Sequence, residues 1–252
     1  MPEHLFNYTL HLADNSLIMG HRLSEWTGHG PMLEQDIAIS NIALDLIGQS
    51  RNFYQYAAQL KGNELTEDSL AYLREADEFK NILLVELPSG DWAQTILKLF
   101  FFSTYQYLLY QKLTNSSDKQ LAAIAEKSLK EVTYHLRWSS EWAIRLGDGT
   151  EESKQRIESA LKELGVYTDE MFLPAEFKID CADNNIGVDV SSLKNDWNKK
   201  VKEVLEEATL CLPETEKQHL VLGGKEGNHT EHLQNILGEM QYLQRTYPGC
   251  EW

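Results

Sequence analysis

Residues 33–59, LEQDIAISNIALDLIGQSRNFYQYAAQ, decide the fold class. Apolar side chains at Ile37, Ile39, Ile42, Leu44, Leu46 and Ile47 point in nearly every direction around a helix, which predicts a helix buried on most sides. One narrow polar line runs along it: Asn41, Asp45, Gly48 or Gln49, and Asn52, at the three- and four-residue steps that keep side chains on one face. Polar groups in a core need partners, so this line is expected to face other polar groups across a bundle axis. In carboxylate-bridged di-metal bundles that axis holds Glu-x-x-His pairs. The corresponding tetrad here is Asp45-Leu46-Ile47-Gly48, with a shorter acid and no imidazole.

Outward from that helix, the 252 residues read as one all-helical domain over 1–252. A first helix over 5–26 carries Leu10, Leu17, Ile18 and Leu23 inward and stops at the turn from Gly28 to Pro31. Its Asp14, His21 and Glu25 lie seven and four residues apart, able to share an inward side but read as solvated or hydrogen-bonded groups. The second helix ends at Lys61-Gly62, a short acidic helix covers 66–79, and apolar residues 81–87 break at Pro88. Asp91 caps a third long helix to 113, whose aromatics (Phe100 to Phe102, Tyr105, Tyr107, Tyr110) fill core or interface. No acid follows Asp91 until Asp118. The fourth helix, 118–146, carries Glu131 and His135, then Trp138 and Trp142. A fifth helix spans 151–171, residues 175–190 read as irregular, and a sixth covers 191–210. Pro213, Gly223, Gly224 and Gly227 mark a loop, and Asn228 with Glu231 suggests a capping box opening the last helix.

The formal charge of −16 argues against nucleic acid and anionic membranes as partners, and a coenzyme A thioester would need a basic partner to hold it. Cys181, Cys211 and Cys250 are widely spaced, as isolated thiols in a reducing cytoplasm would be. No signal peptide is evident and no segment has the ~20 apolar residues of a membrane span, so a cytoplasmic location is expected. The GGKEG run at 223–227 follows no strand and lacks the Lys-Ser/Thr ending of a phosphate loop.

A ferritin-like di-iron centre takes a carboxylate from each of two helices and a Glu-x-x-His pair from each of two others. Of the eight histidines, His4, His11, His21, His29, His135, His219, His229 and His232, none falls on the second helix and only His135 on the fourth. The third helix offers no carboxylate, and the residue three after Glu131 is Tyr134. The bundle centre thus gathers at best Asp14, Asp45, Glu131 and His135, too few for two irons. We read them as a buried hydrogen-bonded network, its charge relieved by Lys127, Lys130 or Arg51; one metal on Asp45, Glu131 and His135 is the alternative. No catalytic residue, cofactor or metal ligand is assigned.

Three stretches carry a resemblance: 12–58, 130–150 and 223–252, with the Asn-x-x-x-Asp-x-x-Gly-Gln run from Asn41 and the His-Thr-Glu-His run from His229. Together they resemble the C-subunit family of the bacterial ring-1,2-phenylacetyl-CoA epoxidases. The resemblance implies a ferritin-like bundle of long antiparallel helices with additional C-terminal helices. It implies a non-catalytic structural subunit that pairs with a di-iron A subunit, the latter binding the coenzyme A thioester. Asp14, Asp45, Gly48, Glu131, Tyr134 and His135 then stand at the positions of a degenerate di-iron site. Further oxygenase subunits and a reductase are expected partners, as is a second copy when the chain is alone.

Overall fold

The structure, a computed structural model, describes residues 2–62, 65–211 and 221–250. It places eleven α-helices in these residues: α1 Pro2–Ser24, α2 Leu33–Lys61, α3 Glu67–Tyr72, α4 Leu83–Glu86, α5 Trp92–Leu113, α6 Lys119–Gly147, α7 Glu151–Gly165, α8 Glu176–Asp183, α9 Lys194–Glu207, α10 Glu231–Met240 and α11 Tyr242–Thr246. No strand occurs among the described residues. The fold is all-α, of the ferritin-like class. Pro213 and His219 lie outside the described residues.

Two compact units share the chain, one of residues 1–88, 175–184 and 222–252, the other of 89–174 and 185–221. In the first, α1 and α2 pack along each other as antiparallel neighbours across a short connection. The helix buried on most sides is α1: every residue from Leu10 to Gly20 is buried. Its companion α2 is not, since Leu33, Ile37 and Leu44 are 72%, 52% and 64% exposed, which corrects the expectation for residues 33–59. Apolar composition alone misleads here because α1 buries Thr9, His11, Asp14, Asn15 and Ser16 along with its aliphatics.

Residues 66–79 are not one helix. Thr66 and Ser69 form a capping box on α3, which ends at Tyr72, and a 3-10 turn, Ala76–Glu78, follows. The chain between them turns Arg74 into the core. Residues 175–190, read as irregular, contain α8, whose Phe177 packs against His11 with ring centroids 5.8 Å apart. Only eight residues long, α8 shows too little periodicity to be recognised. The last helix is capped by Thr230, whose hydroxyl accepts from His232 N, rather than by Asn228.

In the second unit α5 packs along α6, with α7 and α9 beside them. Asp91 caps α5 through a reciprocal box with Gln94, and Asp118 accepts from Leu121 N at the start of α6. The α5 aromatics are core: Phe100, Phe101, Phe102, Tyr105 and Tyr110 are each at most 1% exposed. Trp197 of α9 joins them, its Nε1 donating to the Phe101 carbonyl at 3.0 Å and its ring 5.4 Å from Phe172. Trp138 and Trp142 close edge-on around Trp92, at 6.0 and 5.7 Å.

Candidate functional site

The richest polar chemistry described lies in the first unit, where α1 faces a strap, residues 73–87, whose Arg74 and residues 79 and 81–87 are buried while Leu73, Glu75, Asp77 and Glu78 are exposed. Phe79, Ile82, Leu83, Leu84 and Val85 of the strap are at most 2% exposed, yet it holds only one short turn of α-helix. Buried backbone amides and carbonyls outside regular structure must find partners elsewhere. The side chains of α1 supply them at positions 11, 14, 15 and 22. His11 Nδ1 donates to the Lys80 carbonyl (2.7 Å), Asp14 accepts from Lys80 N (2.8 Å) and Asn15 accepts from Ile82 N (2.9 Å). Arg22 donates to the Glu86 carbonyl from Nε and Nη2, at 3.0 and 2.8 Å.

Asp14 is fully buried and is held on three sides. The Arg74 guanidinium forks onto it, Nη1 reaching Oδ2 at 3.1 Å and Nη2 reaching Oδ1. The Tyr54 hydroxyl of α2 donates to Oδ1, and Lys80 N takes the remaining side. Burial opposes the charge on Arg74, but the Asp14 carboxylate outweighs it and holds the guanidinium above its usual pKa. Burial, then the Asp14 charge, push the Tyr54 phenol well above its ordinary range. Burial and the nearby Lys178 and Lys225 ammonium groups hold His11 well below its usual value, so its ring is neutral.

A second buried carboxylate, Glu86 of α4, is reached by the segment 222–250. It accepts from His229 Nδ1 (2.7 Å), Asn81 Nδ2 (2.8 Å), Thr230 N (2.7 Å) and Thr230 Oγ1 (2.8 Å). The other ring nitrogen of His229 lies 3.0 Å from the Phe79 carbonyl. Both nitrogens thus face acceptors, an arrangement that only the imidazolium satisfies. Burial works against that charge, but the Glu86 bond and charge prevail and raise His229 above its ordinary pKa.

The GGKEG run owes its second and third glycines, Gly224 and Gly227, to this seam. A Cβ on Gly224 would stand 2.2 Å from the Asn81 carbonyl oxygen, and one on Gly227 2.2 Å from that of Asp77. Arg74 escapes a sequence reading because nothing in its acidic window marks it as buried, and Glu86 because an acid reads as solvated even within an apolar run. A usable signal was the apolar run 81–87 with no helical period, a buried segment whose backbone would need side-chain partners.

The expected positions of a degenerate di-iron site fall in both units. Asp14, Asp45 and Gly48 belong to the first, Glu131, Tyr134 and His135 to the second. Asp45, Gly48 and Glu131 are half-buried, Tyr134 is exposed and His135 is fully buried. Asn41, placed on the inward polar line, is exposed. Of the three groups on α1, only Asp14 points fully inward: His21 is half-buried, and Glu25 is exposed and bonded to Arg22 at 2.6 Å. The expected charge relief is also corrected. Lys127 and Lys130 are exposed and Arg51 reaches Glu67 on the surface, whereas Arg74, sixty residues away in sequence, neutralises Asp14. A buried ammonium, Lys98, stands on α5 at 1% exposure.

The oxygens of Asp14 are engaged by a guanidinium, a phenol and an amide, and α5 carries a buried cation and no acid. Among the described residues no group of three or more His, Cys, Asp or Glu side chains is arranged to hold a metal ion, and no helix is long and apolar enough to cross a membrane.

The family described as phenylacetic acid catabolic protein matches residues 1–252. The chain is also 47% identical over 245 residues to the C subunit of the 1,2-phenylacetyl-CoA epoxidase of Escherichia coli (strain K12), covering 97% of this chain and 98% of that one.

Proposed function

The chain belongs to the phenylacetic acid catabolic protein family, and from that premise we propose that it is the non-catalytic C subunit of a phenylacetyl-CoA ring-epoxidising oxygenase. In this reading it is cytoplasmic, acts as one ferritin-like domain over 1–252, and pairs with and stabilises a catalytic di-iron A subunit. The observation that carries the non-catalytic part is the engagement of Asp14 by Arg74. A carboxylate already bound to a fixed guanidinium has no need of a metal for charge balance, and a bridging metal would have to displace that cation. Asp45, Gly48, Glu131, Tyr134 and His135 are then remnants of ligand positions that serve packing and hydrogen bonding.

A structural subunit of this kind works through interface area, and stable obligate interfaces commonly bury more than ~2,000 Å². The exposed Leu33, Ile37 and Leu44 on α2 are consistent with a chain that does not act alone. The test is iron content of the chain purified alone after iron supplementation, beside the same chain co-expressed with its A subunit. Iron well below one per chain alone, with about two per A subunit in the complex, is the expected result. Stoichiometric iron in the isolated chain would instead favour a metal-dependent oxygenase built on Asp45, Glu131 and His135.

A further inference from the structure

We propose that the segment 222–250 is fastened to its unit by a proton-dependent latch, His229 on Glu86, and that it opens as His229 loses its proton. The geometry sets the chemistry. His229 Nδ1 lies 2.7 Å from Glu86 Oε2 and Nε2 lies 3.0 Å from the Phe79 carbonyl. A neutral imidazole has one N–H, so either tautomer would aim a lone pair at a buried oxygen acceptor. If the proton left Nδ1, the Glu86 charge would also lose its cation in a site where the carboxylate is fully buried.

Of the charged groups around His229 the carboxylates favour the closed form, while the cations Arg22 and Arg74 oppose the imidazolium charge but are bound to other partners, Arg74 to Asp14. Glu86 on α4 is in contact with it, and Asp14 on α1 adds attraction from further away. Arg22 on α1 binds the backbone carbonyls of Glu86 and His232, bracing both sides of the latch. The other ties of the segment keep their charge at neutral pH. Thr230 bonds Glu86, Gln241 bonds the Ala71 and Arg74 carbonyls, and Arg245 bonds Glu75 and the Arg74 carbonyl. Among these ties, His229 is the side chain whose charge changes between about pH 6 and 9. Opening would lift Gly224 and Gly227 from the Asn81 and Asp77 carbonyls and bare the strap 73–87.

Hydrogen exchange of the full chain by mass spectrometry, with rates corrected for the intrinsic effect of pH, tests this from about pH 6 to 9. One released proton predicts that the opening constant of 222–250 rises by up to about tenfold per pH unit from about pH 6.5, the free-histidine value, to the titration of His229 in the closed form, and levels off above it, while that of residues 2–61 does not. His229→Lys keeps a cation beside Glu86 and should remove the dependence. Wild-type protection of 222–250 that stays flat across the range would overturn the latch, whether or not the variant folds. A His229 ring signal titrating at or below the free-histidine value would do the same.

Discussion

Arg74 and Asp14, sixty residues apart in sequence, form a forked ion pair inside the first unit, the guanidinium 9% and the carboxylate 0% exposed. Removing one partner leaves the other charged and buried, which costs about 3–5 kcal/mol. Asp14→Asn and Arg74→Met should each lose that much in urea denaturation. The double variant, with no charge left unpaired, should recover a substantial part. Single variants within about 1 kcal/mol of wild type would mean that the pair does not hold the strap.

Tyr54 is the third member of this group, donating to Asp14 Oδ1 and accepting from Arg74 Nη2 at 3.0 Å. Tyr54→Phe deletes only the hydroxyl, and a hydrogen bond to a charged group contributes about 1.5–3 kcal/mol. A loss in that range, with the denaturant slope unchanged, is the expected outcome.

Gly224 and Gly227 bring two chain segments closer than any side chain permits. Gly224→Ala meets a backbone oxygen that cannot swing away, and Gly227→Ala adds an unfavourable positive φ of 86°. Each should lower stability by about 1–3 kcal/mol, with the largest loss of exchange protection at 222–250. Gly48→Ala is the control: a Cβ there meets nothing within 4 Å, so the half-buried helix position should tolerate or gain from alanine.

Stability should also fall on the acid side, through His11. Its folded pKa lies well below the unfolded value, so the native state excludes a proton that the unfolded chain accepts. That contribution is fully present above about pH 6.5 and is lost as pH falls toward the folded value. His229, raised in the native state, has the opposite sign: its contribution is full below about pH 6.5 and disappears as pH rises through its folded value. Melting temperature against pH should therefore peak between the two limbs. His11→Gln should flatten the acid limb and leave the alkaline one.

The long helices were legible because each carries its own signals: Gly62 after α2, Asp91 with Gln94 before α5, and Asp118 before α6. Which residue types lie on α2, α5 and α6 was legible too, since the bounds of those helices were. What the sequence hid were relations between distant residues. Periodicity marks Asp14 as inward but says nothing of Arg74, whose own neighbourhood is acidic and reads as solvated. Leu44 and Leu46 look alike on paper, yet one is 64% exposed and the other fully buried, because burial depends on which helix lies alongside. Of the strap 73–87 only the apolar run 81–87 showed, since the strap has no period of its own and takes its partners from α1 and the C-terminal segment.

The placement of His229 on Glu86, 143 residues later in the chain, also constrains synthesis. While the ribosome is still translating the second unit, α1, α2 and the strap are complete but Glu86 has no imidazolium beside it and Asn81 no glycine loop against it. The first unit can collapse early yet reaches its final form only after the last helices emerge, by which time the second unit can already have folded. Until residues 222–250 are made, the nascent first unit therefore keeps the Glu86 carboxylate and the Asn81 and Asp77 carbonyls uncovered.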